Sequence, residues 1–237
     1  YFDDPSPDLV DSRDSSIGVN LGFDLNPVTT LTLGASNSVY EETGGSFDPE
    51  ETRGYTAGLQ IDRPRGPITG DLFYDDTWEG DRYGVSVGQD SELKGGSLSY
   101  AIGATRTAIL EEVVATGAID YVYDLPDGSI TATASREVDY NSDNQESVTS
   151  GVFLTWSRQV TPLGTLNVDL SAASQEVLIT GDTTVNTQAS VSWSQNIVQD
   201  WVLDLGYTYA TRDETGLDNA QSNEVSLNLR KAFAIRP

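Results

Sequence analysis

The chain has 237 residues with no cysteine and no histidine, and its 13 basic against 37 acidic side chains give a net charge of −24. Without Cys there are no disulfides, thiolate nucleophiles or Cys-ligated metals, and without His there is neither Ser-His-Asp hydrolysis nor a His-ligated metal. So acidic a chain lacks the basic footprint that nucleic acid requires, and 37% hydrophobic residues with 22 glycines is low for a soluble core of this size.

Along the chain, hydrophobic residues recur at every second position. The first run is Ile17, Val19, Leu21, Phe23 and Leu25, with Gly18, Asn20, Gly22 and Asp24 between them. A two-residue period gives a strand one apolar and one polar face. The same pattern predicts about thirteen strands, over 15–25, 29–40, 52–62, 67–75, 82–89, 96–110, 113–124, 129–140, 147–159, 164–175, 184–194, 201–211 and 223–234. Trp201, Leu203, Leu205, Tyr207 and Tyr209 form a run as regular as the first. No stretch approaches the ~18 apolar residues of a spanning helix, and no fixed-length repeat supports a solenoid. Strands that are all apolar on one face and polar on the other fit one closed sheet, an all-β, antiparallel up-and-down transmembrane β-barrel.

The connections alternate in character. One set is short and built from turn formers, as in Asn26-Pro27, Leu125-Pro126-Asp127-Gly128 and Thr161-Pro162-Leu163-Gly164. The other is longer and acidic, over 41–51, 75–81, 141–146, 176–183 and 212–222, with 111–112 belonging to it by position but short. Short turns on one side and long loops on the other match outer-membrane barrels. Acidic loops of this kind are either solvated surface or binders of divalent cations, and none has the spacing of a calcium loop. Carboxylate pairs such as Asp75-Asp76 fall in these solvated segments, where nothing shifts their pKa toward catalysis. If the last strand descends to the periplasm, the first one also descends. Residues 1–13 then lie on the extracellular side ahead of a barrel over 14–237, and a strand upstream of Tyr1 is expected, fourteen in the full protein.

The polar phase places Asp24, Asp71, Asp120, Asp169 and Asp204 on the lumen side with Arg230, among many Ser, Thr, Asn and Gln residues. Carboxylates around a pore favour cations; alternatively these side chains satisfy one another in a filled interior. Arg106 falls in the apolar phase, which requires either a place near the headgroups or a β-bulge. Tyr74, Tyr100, Tyr121, Trp156, Trp193, Trp201 and Tyr207 cluster near strand ends, as interface girdles do, although aromatics favour any strand.

The closing segment, 223–237, resembles the last strand of Gram-negative outer-membrane barrels. Val225, Leu227, Leu229 and Phe233 carry the alternation and the terminal aromatic that the barrel-assembly machinery reads in such proteins. It departs from that pattern in the Ala-Ile-Arg-Pro that follows Phe233 and in Lys231, which occupies an apolar slot where it can snorkel to the periplasmic interface. The resemblance is to a broad, porin-like class. It implies the outer membrane with the long loops extracellular, contact with membrane lipid and lipopolysaccharide, passage through the assembly machinery, and no cofactor. The function expected is a passive, weakly cation-selective channel for ions or small solutes, not an enzyme. The alternative is a non-conducting structural or partner-binding barrel, homo-oligomeric or part of an envelope assembly. A soluble, acidic β-sandwich from a high-salt habitat is the remaining rival.

Overall fold

The computed structural model describes residues 11–43, 49–141, 145–198 and 201–231. Thirteen strands follow one another as β1 (Asp11–Asn26), β2 (Thr29–Thr43), β3 (Glu50–Ile61), β4 (Ile68–Thr77), β5 (Gly80–Leu93), β6 (Gly96–Arg106) and β7 (Val113–Leu125). They continue as β8 (Gly128–Tyr140), β9 (Glu146–Thr161), β10 (Gly164–Val177), β11 (Thr183–Val198), β12 (Trp201–Glu214) and β13 (Ala220–Lys231). Each pairs antiparallel with the next in a single sheet, the order of an up-and-down barrel.

The register keeps the alternation in phase across the sheet. One ladder row runs Leu21, Leu33, Ala57, Leu72, Val85, Ala104, Ala115. Another runs Tyr121, Ala132, Leu154, Leu170, Ala189, Tyr209. A one-residue slip at any pairing would move a whole strand's apolar set to the other face. Among the described residues, register shifts occur at Asp24/Asn26, Gly164/Thr165 and Asn196/Val198, all at short-turn strand ends.

The rows are also staggered. The row through Asp24 passes Thr30, Gln60, Thr69, Gly88, Ala101 and Ala118. It continues through Ser135, Gly151, Ala173, Asn186 and Arg212 to Ala220. It thus starts near the short-turn end of β1 and finishes at the long-loop end of β13. Such shear tilts the strands and is what rolling a sheet into a cylinder demands. The polar face is the concave one: Arg82 of β5 reaches across it to donate to the Val138 carbonyl of β8, 3.4 Å away and three strands on.

The apolar face has no partner among the described residues. Ile17, Ile102 and Val225 are 74%, 69% and 81% exposed, and the buried hydrophobic residues among those described are Ala108 and Val148. A β-sandwich would bury its apolar faces against each other; this single sheet turns its apolar face outward.

Strand ends differ from expectation mostly on the long-loop side. Asp75 and Asp76 lie within β4 and Asp81 within β5, so that hairpin closes through Trp78-Glu79 alone. Their backbones continue the ladder, and Arg82 next to Asp81 neutralises Asp75. Conversely β6 stops at Arg106 and 107–112 forms a loop, closed by Thr107 N–H to the Glu112 carbonyl at 2.9 Å and Glu112 N–H to Thr107 Oγ1 at 3.1 Å.

Candidate functional site

All five aspartates and Arg230 fall on the concave polar face, and the aspartates share one end of it. Asp24 is two residues from the short-turn end of β1, Asp71 three from that of β4, and Asp120 five from that of β7. Asp169 lies five from the end of β10 and Asp204 three from the end of β12. They therefore stand around the short-turn rim, although no single ladder row contains them.

Local chemistry distinguishes them. Asp24 accepts from the Thr30 hydroxyl at 3.0 Å, and Asp169 accepts from Thr155 at 2.9 Å and Ser190 at 3.2 Å. Asp71 leans over Gly58, where a Cβ would sit 2.8 Å from its Oδ1; a side chain there would displace the carboxylate. Asp204 alone is neutralised, by Arg230 Nε at 2.7 Å. Three further carboxylates join this rim: Asp90 and Glu92 on β5 and Asp124 on β7 share the polar phase. The first two escape a reading that ends the strand at Gln89, because β5 runs on to Leu93. Asp124 needed only the phase of Asp120.

The opposite rim is built differently. Arg82 pairs with Asp75 at 2.8 Å, its guanidinium 5.8 Å from the Phe73 ring centre and 5.0 Å from that of Tyr140. Arg82 and Asp75 side chains are 13% and 16% exposed, so this pair is largely withdrawn from water. Beside it the 107–112 loop meets the start of β9. Glu146, fully buried, accepts the backbone N–H groups of Ala108 at 3.0 Å and Ile109 at 3.1 Å, and its own carbonyl accepts Leu178 N–H at 3.0 Å. Gly80, at φ +132°, lets the loop close in: a Cβ there would stand 3.2 Å from the Ala108 carbonyl. Thr77, Thr105, Thr107 and Ser147 complete the buried polar set.

Glu79 sits in this cluster with an enclosed Oε2 that has no hydrogen-bond partner. Burial, with the charges of Glu146 and Glu50 added, pushes its carboxyl up to about 7. The reading of segment 75–81 as a solvated loop is corrected here, since the Asp75 side chain and the Glu79 Oε2 are both largely enclosed. Nothing in the local sequence marks Glu79, Arg82 or Glu146, whose partners lie up to 56 residues away.

On the outer face, Tyr100, Tyr121, Trp156, Trp193 and Trp201 stand within five residues of short-turn strand ends, while Tyr74 is near the opposite rim and Tyr207 midway along β12. Trp201 and Tyr209 are eight residues apart on one strand, about 26 Å at the rise of extended chain. Lys231 places its ammonium 5.2 Å from the Trp201 ring centre. Arg106 is the last residue of β6, with no bulge beside it; it pairs with Glu111 at 2.7 Å and lies 5.5 Å from the Tyr83 ring centre. Val225, Leu227 and Leu229 continue the apolar face on β13, and Phe233 lies outside the described residues.

No family model matches the chain, and no curated protein matches it. Among solved structures it is similar to the outer membrane channel DcaP of Acinetobacter baumannii at TM-score 0.41 and 16% identity, over 91% of this chain. The chain spans 62% of that channel's length. It is also similar to an anion-selective porin from Comamonas acidovorans at TM-score 0.40 and 11% identity, over 92% of this chain and 89% of that one. A third is the translocator domain of the autotransporter NalP from Neisseria meningitidis, at 0.32 and 15%, over 94% and 80%. The up-and-down barrel architecture itself rests on the register, the stagger and the two faces of this sheet.

Proposed function

We propose that this chain is a Gram-negative outer-membrane β-barrel that forms a passive, weakly cation-selective channel for ions or small solutes, with no catalytic role. The carrying observation is the short-turn rim of the polar face. There Asp24, Asp71, Asp90, Glu92, Asp120, Asp124 and Asp169 have no ion pair among the described residues, and only Asp204 is neutralised. Carboxylates around a water-filled mouth raise the local cation concentration. At ~0.15 M salt the screening length is ~8 Å, which keeps the preference modest. The continuous outward apolar face with aromatics toward its rims supports a lipid environment. In this reading the long loops face outward, lipopolysaccharide and membrane lipid surround the barrel, and the assembly machinery recognises the closing strand.

The long-loop cluster favours a second reading. The Arg82 bridge between β5 and β8 and the enclosed Glu146 narrow the concave side at that end, as in a structural barrel that binds an envelope partner or further copies of itself without conducting. Conductance of the purified protein in a planar bilayer under a salt gradient separates the two. Discrete steps with a cation-selective reversal potential support the channel. Silence from folded, inserted protein supports the structural barrel, and anion preference overturns the assignment of the acidic rim.

A further inference from the structure

Four arginines lie in the outward phase near the long-loop ends of their strands, Arg13 on β1, Arg53 on β3, Arg106 on β6 and Arg136 on β8, and Arg136 alone of them borders a recess. Two already hold a carboxylate, Arg53 with Glu51 at 3.1 Å and Arg106 with Glu111 at 2.7 Å. Arg136 has no ion pair among the described residues and donates only to the Ser150 hydroxyl, at 2.9 Å. A guanidinium carries five donors in a planar fork suited to a phosphate or a carboxylate, so most of its capacity is unspent.

Arg136 also borders a shallow recess of about 760 Å³ in the outer face of β6–β11. Its floor is made of small residues, Gly117 on β7, Ala134 on β8 and Ala172 on β10, with Val152 of β9 standing between the last two and Ile102 of β6 beside Gly117. Gly117 is held to that size, because a Cβ there would meet the Ala101 carbonyl at 2.8 Å. A depression with apolar walls and one cation at its upper end matches a molecule that is apolar along its length and anionic at its head.

We propose that this recess binds one phosphate-bearing anionic lipid, with an acyl chain over the small residues and the phosphate on Arg136. The inference rests on the membrane reading above. Charge complementarity supports that occupant. In a chain of net charge −24, this is an outward cation without a carboxylate of its own, and lipid phosphates are the anions a bilayer presents beside its apolar layer.

Native mass spectrometry of the purified chain in neutral detergent tests it, with phosphatidylglycerol and phosphatidylcholine of matched chains supplied equally. One phosphatidylglycerol should be retained over phosphatidylcholine by roughly fivefold or more, as a charge-assisted contact implies. Arg136→Gln should bring the ratio to about one, while Arg53→Gln, whose guanidinium is already engaged, leaves it unchanged. Ala134→Phe, filling the floor, should lower retention of both lipids; circular dichroism shows independently whether each variant keeps its strands. Equal retention by the native chain, an unchanged ratio in Arg136→Gln, or a lipid-free oligomer covering the recess would overturn the proposal. Failure to enter phosphatidylcholine vesicles would overturn the membrane reading with it, whereas insertion without headgroup preference overturns this inference alone.

Discussion

The two rims of the concave face carry similar chemistry and treat it in opposite ways. At the short-turn rim carboxylates sit apart, exposed or partly exposed and mostly without a cation, each touching at most a hydroxyl or two. At the long-loop rim the ionised groups are drawn together and desolvated, so each needs a dedicated partner: Asp75 has Arg82, and Glu146 has two backbone N–H groups. In the channel proposed above, charge at the first rim would act on passing ions, while charge at the second holds backbone segments together. Substitutions at the long-loop rim should therefore register as stability, and those at the short-turn rim as selectivity.

The largest effect is expected from breaking the Arg82–Asp75 pair. Arg82→Ala leaves a largely enclosed carboxylate uncompensated, and removal of one partner of such a pair costs about 3–5 kcal/mol. Denaturant unfolding in detergent should show it. Asp75→Asn in the Arg82→Ala background should restore a good part, because the lone charge is then gone. If the single variant unfolds like the native chain, the bridge across the concave face contributes nothing.

Glu146→Ala comes next. It strips the acceptor from Ala108 and Ile109, and each orphaned buried N–H costs about 1–3 kcal/mol. The loss should be local to 107–112, read as faster hydrogen exchange at those two amides while β12 and β13 keep their protection. Uniform acceleration across all strands would show that the loop and the sheet unfold as one unit.

How far this contrast was visible beforehand follows from the distances involved. Alternation is a property of neighbours, so the strands, the apolar phase of Val225, Leu227 and Leu229, and the polar phase of Asp24 through Asp204 could be read along the chain. Strand ends were harder, because acidic residues that resemble loop continue the ladder: Asp90 and Glu92 lie in β5, Asp75 and Asp76 in β4. The long-loop cluster was illegible. Glu146 meets Ala108 across 38 residues and Arg82 meets Val138 across 56, contacts created by the curl of the sheet and by no local pattern.

A smaller effect should follow pH at Glu79. Its carboxyl titrates about 7 in the folded chain against an ordinary value of 4.5, so the folded state holds the proton more tightly. The stabilisation is complete below 4.5, declines as pH rises through the interval, and is gone above about 7. The ionised form then faces Glu146 and Glu50 without a partner for Oε2. Exchange at 107–112 and, if the barrel conducts, the open fraction should rise from pH 5 to pH 8. Glu79→Gln should flatten both curves near their acid values; a dependence that survives the substitution places the titration elsewhere.

The smallest change, and the one that isolates charge from structure, concerns Asp204 and Arg230. This pair stands on the short-turn rim with Arg230 exposed and Asp204 partly exposed, so its removal should change unfolding little. It adds no net charge to the mouth, whereas Asp169 adds one negative charge. Asp204→Asn uncovers the arginine and should shift the reversal potential toward anions, Arg230→Gln uncovers the aspartate and should shift it toward cations, and Asp169→Asn should move it the same way as Asp204→Asn. Because water and salt screen these charges at distances of ~8 Å or more, each step should change the permeability ratio by less than about twofold. Two opposite shifts of similar size at unchanged stability are what an electrostatic rim requires. Shifts of the same sign from Asp204→Asn and Arg230→Gln would mean that the pair shapes the mouth instead of charging it.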